Sequence, residues 1–279
     1  MLFCDLCEDD YFSKMRVVNY LLKGDIFNMS MSIALAGKGG TGKTTTAGLL
    51  IKYLLNNHKT PILAVDADSN VNLNEVLGLE ATDSLGKARE EMKTGAVPSG
   101  MTKDVFISMR MEQAVIEAGD FDLIVMGQPE GAGCYCAANT LLSNFLERLA
   151  KNYPYIVMDN EAGMEHISRL TTKNIDVLLI VTDASRRGLQ AAIRIHELAG
   201  TLNVGVERSC IIINQTKAEP GEEVLAMIEK AGIEYLGSVP ADDMVYEYDL
   251  AGRPMIELPE DSPVVKASFN AFSQFMSGK

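Results

Sequence analysis

No apolar run in this 279-residue chain approaches the roughly 20 residues that a helix needs to cross a bilayer. Basic residues are in deficit: 25 Lys and Arg stand against 38 Asp and Glu, a net charge of −13. A surface that displaces counterions from nucleic acid needs clustered positive charge, which is not found here. The first residues are equally unlike a secretory signal, because the acidic run Glu8-Asp9-Asp10 stands where a basic region belongs. Cysteine is scarce, with five residues. An odd number without a secretory signal points to a reducing compartment and to thiols that act as ligands or stay free. These readings argue against nucleic-acid and membrane partners and place the chain in the cytoplasm. No linker or low-complexity stretch divides it, so residues 31–279 read as one domain behind an extension, residues 1–30. A hydrophobic fraction of 47 % with 23 % charged residues is ordinary for a globular chain with a full core.

The extension carries Cys4-x-x-Cys7, which is half a metal site. We expect it to be a flexible addition or an artefact of the start chosen, with Met29 and Met31 as alternative starts just ahead of the first strand.

The informative stretch is Ser32 to Thr46, SIALAGKGGTGKTTT. Ser32 to Ala36 suit a buried strand. Gly37-Lys38-Gly39-Gly40-Thr41-Gly42-Lys43-Thr44 then fills G-x-x-x-x-G-K-[ST] position by position. Glycines let a backbone wrap closely around phosphates with its N–H groups pointing inward. Thr45 continues into a helix, expected over Lys43 to Asn57, whose positive end would lie under the same anion. Lys43 would reach the β/γ oxygens and the Thr44 hydroxyl would hold Mg²⁺. The stretch also matches G-x-G-x-x-G, but a dinucleotide turn has no use for Lys43 and Thr44 there, so a nucleoside triphosphate site is the reading.

With Lys38 included, K-G-G-x-G-K-T resembles the deviant Walker A motif of the family that includes MinD, ParA and the nitrogenase iron protein. The resemblance implies a homodimer closing on two ATP molecules, with Lys38 crossing to the partner's nucleotide. The fold implied is a three-layer α/β P-loop NTPase with a mainly parallel sheet, which the alternation of strand and helix patterns also supports.

Pro61 to Val65 reads as a second strand ending in Asp66-Ala67-Asp68. Carboxylates at a strand's carboxyl end face the ligand crevice of an open sheet, and Asp66 and Asp68, two apart, would share a face. Without the upstream loop they would read as a cap or turn. The family resemblance makes this switch I, with Asp68 positioning the attacking water and Asp66 in support. Residues 72–118 read as mostly helical, with no chemistry and with partner choice as their expected use. Tyr155 to Met158 followed by Asp159 is a Walker B arrangement, which puts Asp159 near Mg²⁺; the resemblance makes Asp159 to Gly163 switch II. A strand at Cys210 to Asn214 brings Asn214 to the position where the family reads adenine, and Ser238 to Asp242, with Pro240, resembles the loop that closes over the base. Arg186 and Arg187 could contact a partner's nucleotide or merely be exposed, and His166 reads as a surface or capping residue.

Beyond an expected third strand, Phe121 to Met126, lies Cys134-Tyr135-Cys136. Cysteines at i and i+2 on an extended segment point the same way and supply two soft ligands, whereas a tetrahedral Zn²⁺ site or a square-planar Ni²⁺ site takes four donors. A two-fold axis would complete four sulfurs at a subunit interface. The same spacing also suits two small buried residues or inert loop thiols. The loop Gly131 to Asn139 together with Ala162 to Lys173 resembles the CooC family of accessory ATPases, which assist nickel insertion into carbon monoxide dehydrogenase, and the related AcsF proteins of acetyl-CoA synthase. That resemblance implies Ni²⁺ or Zn²⁺ at Cys134 and Cys136 between subunits, ATP/ADP and Mg²⁺ as cofactors, ATP hydrolysis, and one of those enzymes as client. A ParA- or MinD-type positioning ATPase and an iron–sulfur carrier are the alternatives. The first needs a basic DNA or membrane surface, the second a brown chromophore.

Overall fold

A computed structural model describes residues 30–68, 70–93, 97–127, 144–160, 175–201 and 205–276. In chain order these form β1 (Met31–Ala36), α1 (Lys43–Asn56), β2 (Ile62–Ala67), α2 (Leu73–Leu77), α3 (Leu85–Lys93), α4 (Lys103–Gln113), β3 (Val115–Glu117), β4 (Phe121–Val125), a helical stretch over 144–150, β5 (Tyr155–Asn160), β6 (Ile175–Thr182), α5 (Arg186–Thr201), β7 (Val206–Thr216), α6 (Glu222–Lys230), β8 (Glu234–Pro240), α7 (Asp243–Leu250) and α8 (Pro263–Met276).

The eight strands make one sheet in the order β3-β4-β2-β5-β1-β6-β7-β8. All pairs are parallel except β3 with β4, which is antiparallel. β1, β2 and β6 are apolar for nearly their whole length because helices cover both faces of a parallel sheet. Ile33, Leu35, Val157, Val177 and Leu179 enter a core on one face, shared with α1 and α8. Ala34, Ala36, Met158, Leu178 and Ile180 enter a second core on the other, shared with α4, α5 and the 144–150 stretch. The chain is therefore three-layered, as its pattern of alternating elements requires.

Several expected boundaries shift. β3 falls inside the region read as helical; it is a three-residue, half-exposed edge strand, too short to show alternation. Ser238 to Pro240 belong to β8 rather than to a loop. β5 runs on through Asp159 and Asn160, so the Walker B aspartate lies within the strand. α8 spans the expected residues.

α1 and α8 pack against the same face of the sheet and against each other. Tyr53 of α1 meets Phe269 and Phe272 edge-on at 5.3 and 5.8 Å between ring centroids, and Phe272 meets Phe275 at 6.3 Å. Phe272 is fully buried. This aromatic contact fixes the axis of the helix that follows the glycine loop, so the loop inherits a rigid base. We expect Phe272→Ala to lower the unfolding free energy by about 3–5 kcal/mol, measured by urea denaturation; a loss below about 1 kcal/mol would mean that α8 does not anchor α1.

Candidate nucleotide site

β1 stands between β5 and β6, where successive connections leave toward opposite edges of the sheet, and such a switch point opens a crevice at the strands' carboxyl ends. The glycine loop fills that position. Gly37 has φ +154°, and a Cβ there would run into the Val181 carbonyl oxygen of β6. Gly42, with φ +87°, caps α1 in the left-handed region, and a Cβ there would collide with the Asn214 amide. Both glycines are therefore required by close packing. Gly39 and Gly40 face open space and leave room for a ligand rather than for protein.

The loop closes on the Lys38 carbonyl, which accepts from Thr41 Oγ1 at 2.8 Å, from Thr41 N at 3.4 Å and from Lys43 Nζ at 3.4 Å. Lys43 is thereby drawn under the loop and is buried, while Lys38 is exposed at its tip. α1 begins without a side-chain cap and without an acidic residue in its first turn. Its opening N–H groups, including that of Thr45, thus remain available to an anion.

Three aspartates converge beside this loop. In the parallel ladders Asp159 of β5 pairs in register with Leu35 of β1 on one side and with Asp66 of β2 on the other. Asp159 is 1 % exposed. Burial pushes its carboxyl up to about 7, with the Thr44 hydroxyl as a donor and Lys43 opposing the rise, and Asp66 and Asp68 adding to it. Asp66 is fully buried, and burial raises its carboxyl as well; it accepts N–H groups from Asp68 at 3.1 Å, Asn72 at 3.0 Å and Leu73 at 2.9 Å. Asp68 lies one residue beyond β2, half-exposed, and accepts from the Asn70 backbone at 2.8 Å. The expected acidic grouping is therefore present, although Asp66 is engaged by backbone rather than open to a ligand.

A divalent cation fits this arrangement. One carboxylate oxygen of Asp159 is buried without a hydrogen-bond partner among the described residues, next to the Thr44 hydroxyl, which is the donor set a hard cation with retained waters takes. Thr44 and Asp159 are the residues that would hold it.

Asn214 closes the continuous buried run of β7 and donates from Nδ2 to the Thr41 carbonyl at 2.9 Å. An amide carries both donor and acceptor groups, the chemistry that a base edge requires. Pro240, the last residue of β8, pairs with Thr216, so both residues assigned to the base lie at the carboxyl ends of neighbouring strands. Two neighbours had escaped notice in the sequence. Gln215, at φ +56°, donates to the Gly40 carbonyl at 3.4 Å. Asn160 donates to the Leu35 carbonyl at 2.9 Å and ties β5 to the strand that feeds the loop. An amide directly after the Walker B aspartate was the available signal for Asn160. Cys134, Cys136, His166, Cys4 and Cys7 lie outside the described residues.

Residues 32–255 match the family model for the CobQ/CobB/MinD/ParA nucleotide binding domain. An uncharacterised ATP-binding protein of Methanocaldococcus jannaschii is 42 % identical over 240 residues, covering 85 % of this chain and 94 % of that protein. The carbon monoxide dehydrogenase accessory protein CooC of Rhodospirillum rubrum is 32 % identical over 243 residues, covering 82 % and 90 %. Among solved structures, the septum site-determining protein MinD of Pyrococcus horikoshii in complex with Mg-ADP superposes with a TM-score of 0.64 at 19 % identity, covering 90 % of this chain and 98 % of that one. The fold and the loop define a P-loop protein with a nucleotide-binding domain. The chain belongs to the CobQ/CobB/MinD/ParA nucleotide-binding family.

The raised Asp159 carboxyl has a testable sign. The folded chain holds this proton more tightly than the unfolded chain does, so the free protein loses stability as pH rises from the ordinary aspartate range through about 7. In EDTA and without nucleotide, Asp159→Asn should melt higher than wild type at pH 8. The gap should shrink as pH falls to 5. An equal melting temperature at pH 8 would show that the carboxylate is not held against its charge.

Proposed function

We propose that this protein is a dimeric ATPase that carries Ni²⁺ or Zn²⁺ between paired cysteines and assists nickel insertion into carbon monoxide dehydrogenase or acetyl-CoA synthase. The observation that carries this reading is the match along 90 % of the Rhodospirillum rubrum carbon monoxide dehydrogenase accessory protein. The pair Cys134 and Cys136, chemically suited to a soft or borderline ion, agrees with it. No helix among the described residues is long and apolar enough to cross a membrane.

In this reading the loop amides of Gly39 to Thr45 and the start of α1 hold the phosphates of ATP, and Lys43 neutralises charge at the β/γ oxygens. Asn214 reads the adenine edge, with Pro240 closing over the base. Mg²⁺, when bound, supplies further charge neutralisation at the phosphates. Asp68 orients the attacking water, and Lys38 reaches the partner's nucleotide, so hydrolysis requires the closed homodimer. Nickel is cargo. Each cysteine gives up its thiol proton and ligates as thiolate, and two subunits supply four sulfurs. Hydrolysis then alters how the two halves meet, and no bond of the client is made or broken by this chain.

Anaerobic Ni²⁺ titration with oligomeric mass and metal content read together tests this. Wild type should take one ion per dimer, and Cys134→Ser/Cys136→Ser should take none while still binding ATP. Lys43→Ala should lose ATP turnover and keep its fold. Full metal occupancy in the double variant would overturn the shared thiolate site, and ATP-dependent cosedimentation with DNA or vesicles would favour a positioning ATPase instead.

A further inference from the structure

The chain leaves β2 toward the turn that carries Asp68 and leaves β4 toward Cys134 at neighbouring places, and one residue contacts both exits. The Asp66 carboxylate accepts the N–H groups of Asp68, Asn72 and Leu73, and so ties down both ends of the turn that follows β2. The backbone carbonyl of the same Asp66 accepts from Met126 N at 2.8 Å, just past the end of β4. The Met126 carbonyl in turn accepts from Gly86 N at 2.8 Å in the first turn of α3. Gly127, at φ +67°, packs so close to Ser84 that a Cβ would meet its hydroxyl at 2.6 Å. The exit of β4 is thus held on two sides.

The turn held by Asp66 is not relaxed. Val71 sits at φ +52°, a region that a β-branched side chain strongly disfavours and that persists only where surroundings impose it. Two of the three N–H groups that the buried carboxylate takes belong to the two residues after Val71. Asp66 is fully buried, so nothing from solvent competes for these bonds. A strained turn whose two ends are gripped by one buried carboxylate holds strain that a change at either end can release, which suits a coupling element.

We propose that Asp66 is a positioning residue that ties the turn carrying Asp68 to Met126 and Gly127, the residues from which the chain runs on to Cys134. Occupancy of the nucleotide site next to Asp68 changes the grip of Asp66 on residues 68–73, and its carbonyl passes that change to the exit of β4. This deepens the accessory-protein reading, and it gives that reading the physical link between nucleotide state and the segment bearing the cysteines.

The test is amide hydrogen exchange over residues 121–127, with and without saturating Mg·ATPγS, on wild type, Asp66→Asn and Val71→Gly. Saturation removes differences in nucleotide affinity. In wild type, exchange at the Met126 amide should change at least about fivefold on binding, the lower end of ordinary coupling between sites. Asp66→Asn puts a donor where an acceptor is needed, and the response should fall below about twofold. Val71→Gly relieves the strain and removes only a half-buried side chain at the edge of the core, leaving Asp66 intact, so it should also blunt the response even if Asp66→Asn folds poorly. A full wild-type response in Val71→Gly, or no response at Met126 in wild type, would overturn the proposal. The readout needs no metal, so a protein that shows the response yet binds no nickel would sink the accessory role and leave the coupling standing.

Discussion

A parallel ladder sets Leu35, Asp159 and Asp66 side by side on β1, β5 and β2, and the rest of the site depends on that register. Parallel pairing at the centre of the sheet buries these positions completely, and a buried carboxylate is held against its own desolvation. The chain offsets this cost differently for each acid. Asp66 takes three backbone N–H groups, while Asp159 has the Thr44 hydroxyl and the charge of Lys43 but keeps one oxygen unpartnered among the described residues. One carboxylate is therefore structural in its contacts and the other is left incomplete, as a group that awaits a cation would be. A one-residue slip of β5 would move Asp159 to the opposite face, where the second core leaves no room for it.

The glycine loop rests on the same register. Gly37 lies against β6 and Gly42 against Asn214 of β7, so strands on the far side of β1 limit the loop as firmly as its own sequence does. The α1–α8 aromatic contact then fixes the helix beneath it. An anion arriving here meets amides that are already oriented, and little conformational entropy remains to be lost on binding.

Much of this was legible in the sequence, for physical reasons. The loop motif, the apolar parallel strands and the aspartates at strand ends each follow from local chemistry: glycine's tolerance of positive φ, burial on both faces, and charge at a crevice. What escaped were features decided by partners distant in the chain. Asp66 and Asp68 looked equivalent by spacing, yet Ala67 ends β2, and Asn72 and Leu73 beyond the turn fold back onto Asp66 while, among the described residues, Asp68 accepts only from within the turn. β3 gave no signal because three half-exposed residues acquire strand character only by pairing with β4. Asn160 looked like the start of a loop; its role as a tie to the Leu35 carbonyl follows from the neighbouring strand.

The proposed account makes nucleotide and metal two readings of one equilibrium. By linkage, a nucleotide that changes metal affinity must itself be bound differently when metal is present. The most direct measurement is the Ni²⁺ dissociation constant of the wild-type protein, taken anaerobically with saturating Mg·ADP and again with saturating Mg·ATPγS. The account requires the two values to differ by at least about fivefold. Equal values would contradict it, because a metal site indifferent to nucleotide has no use for an ATPase.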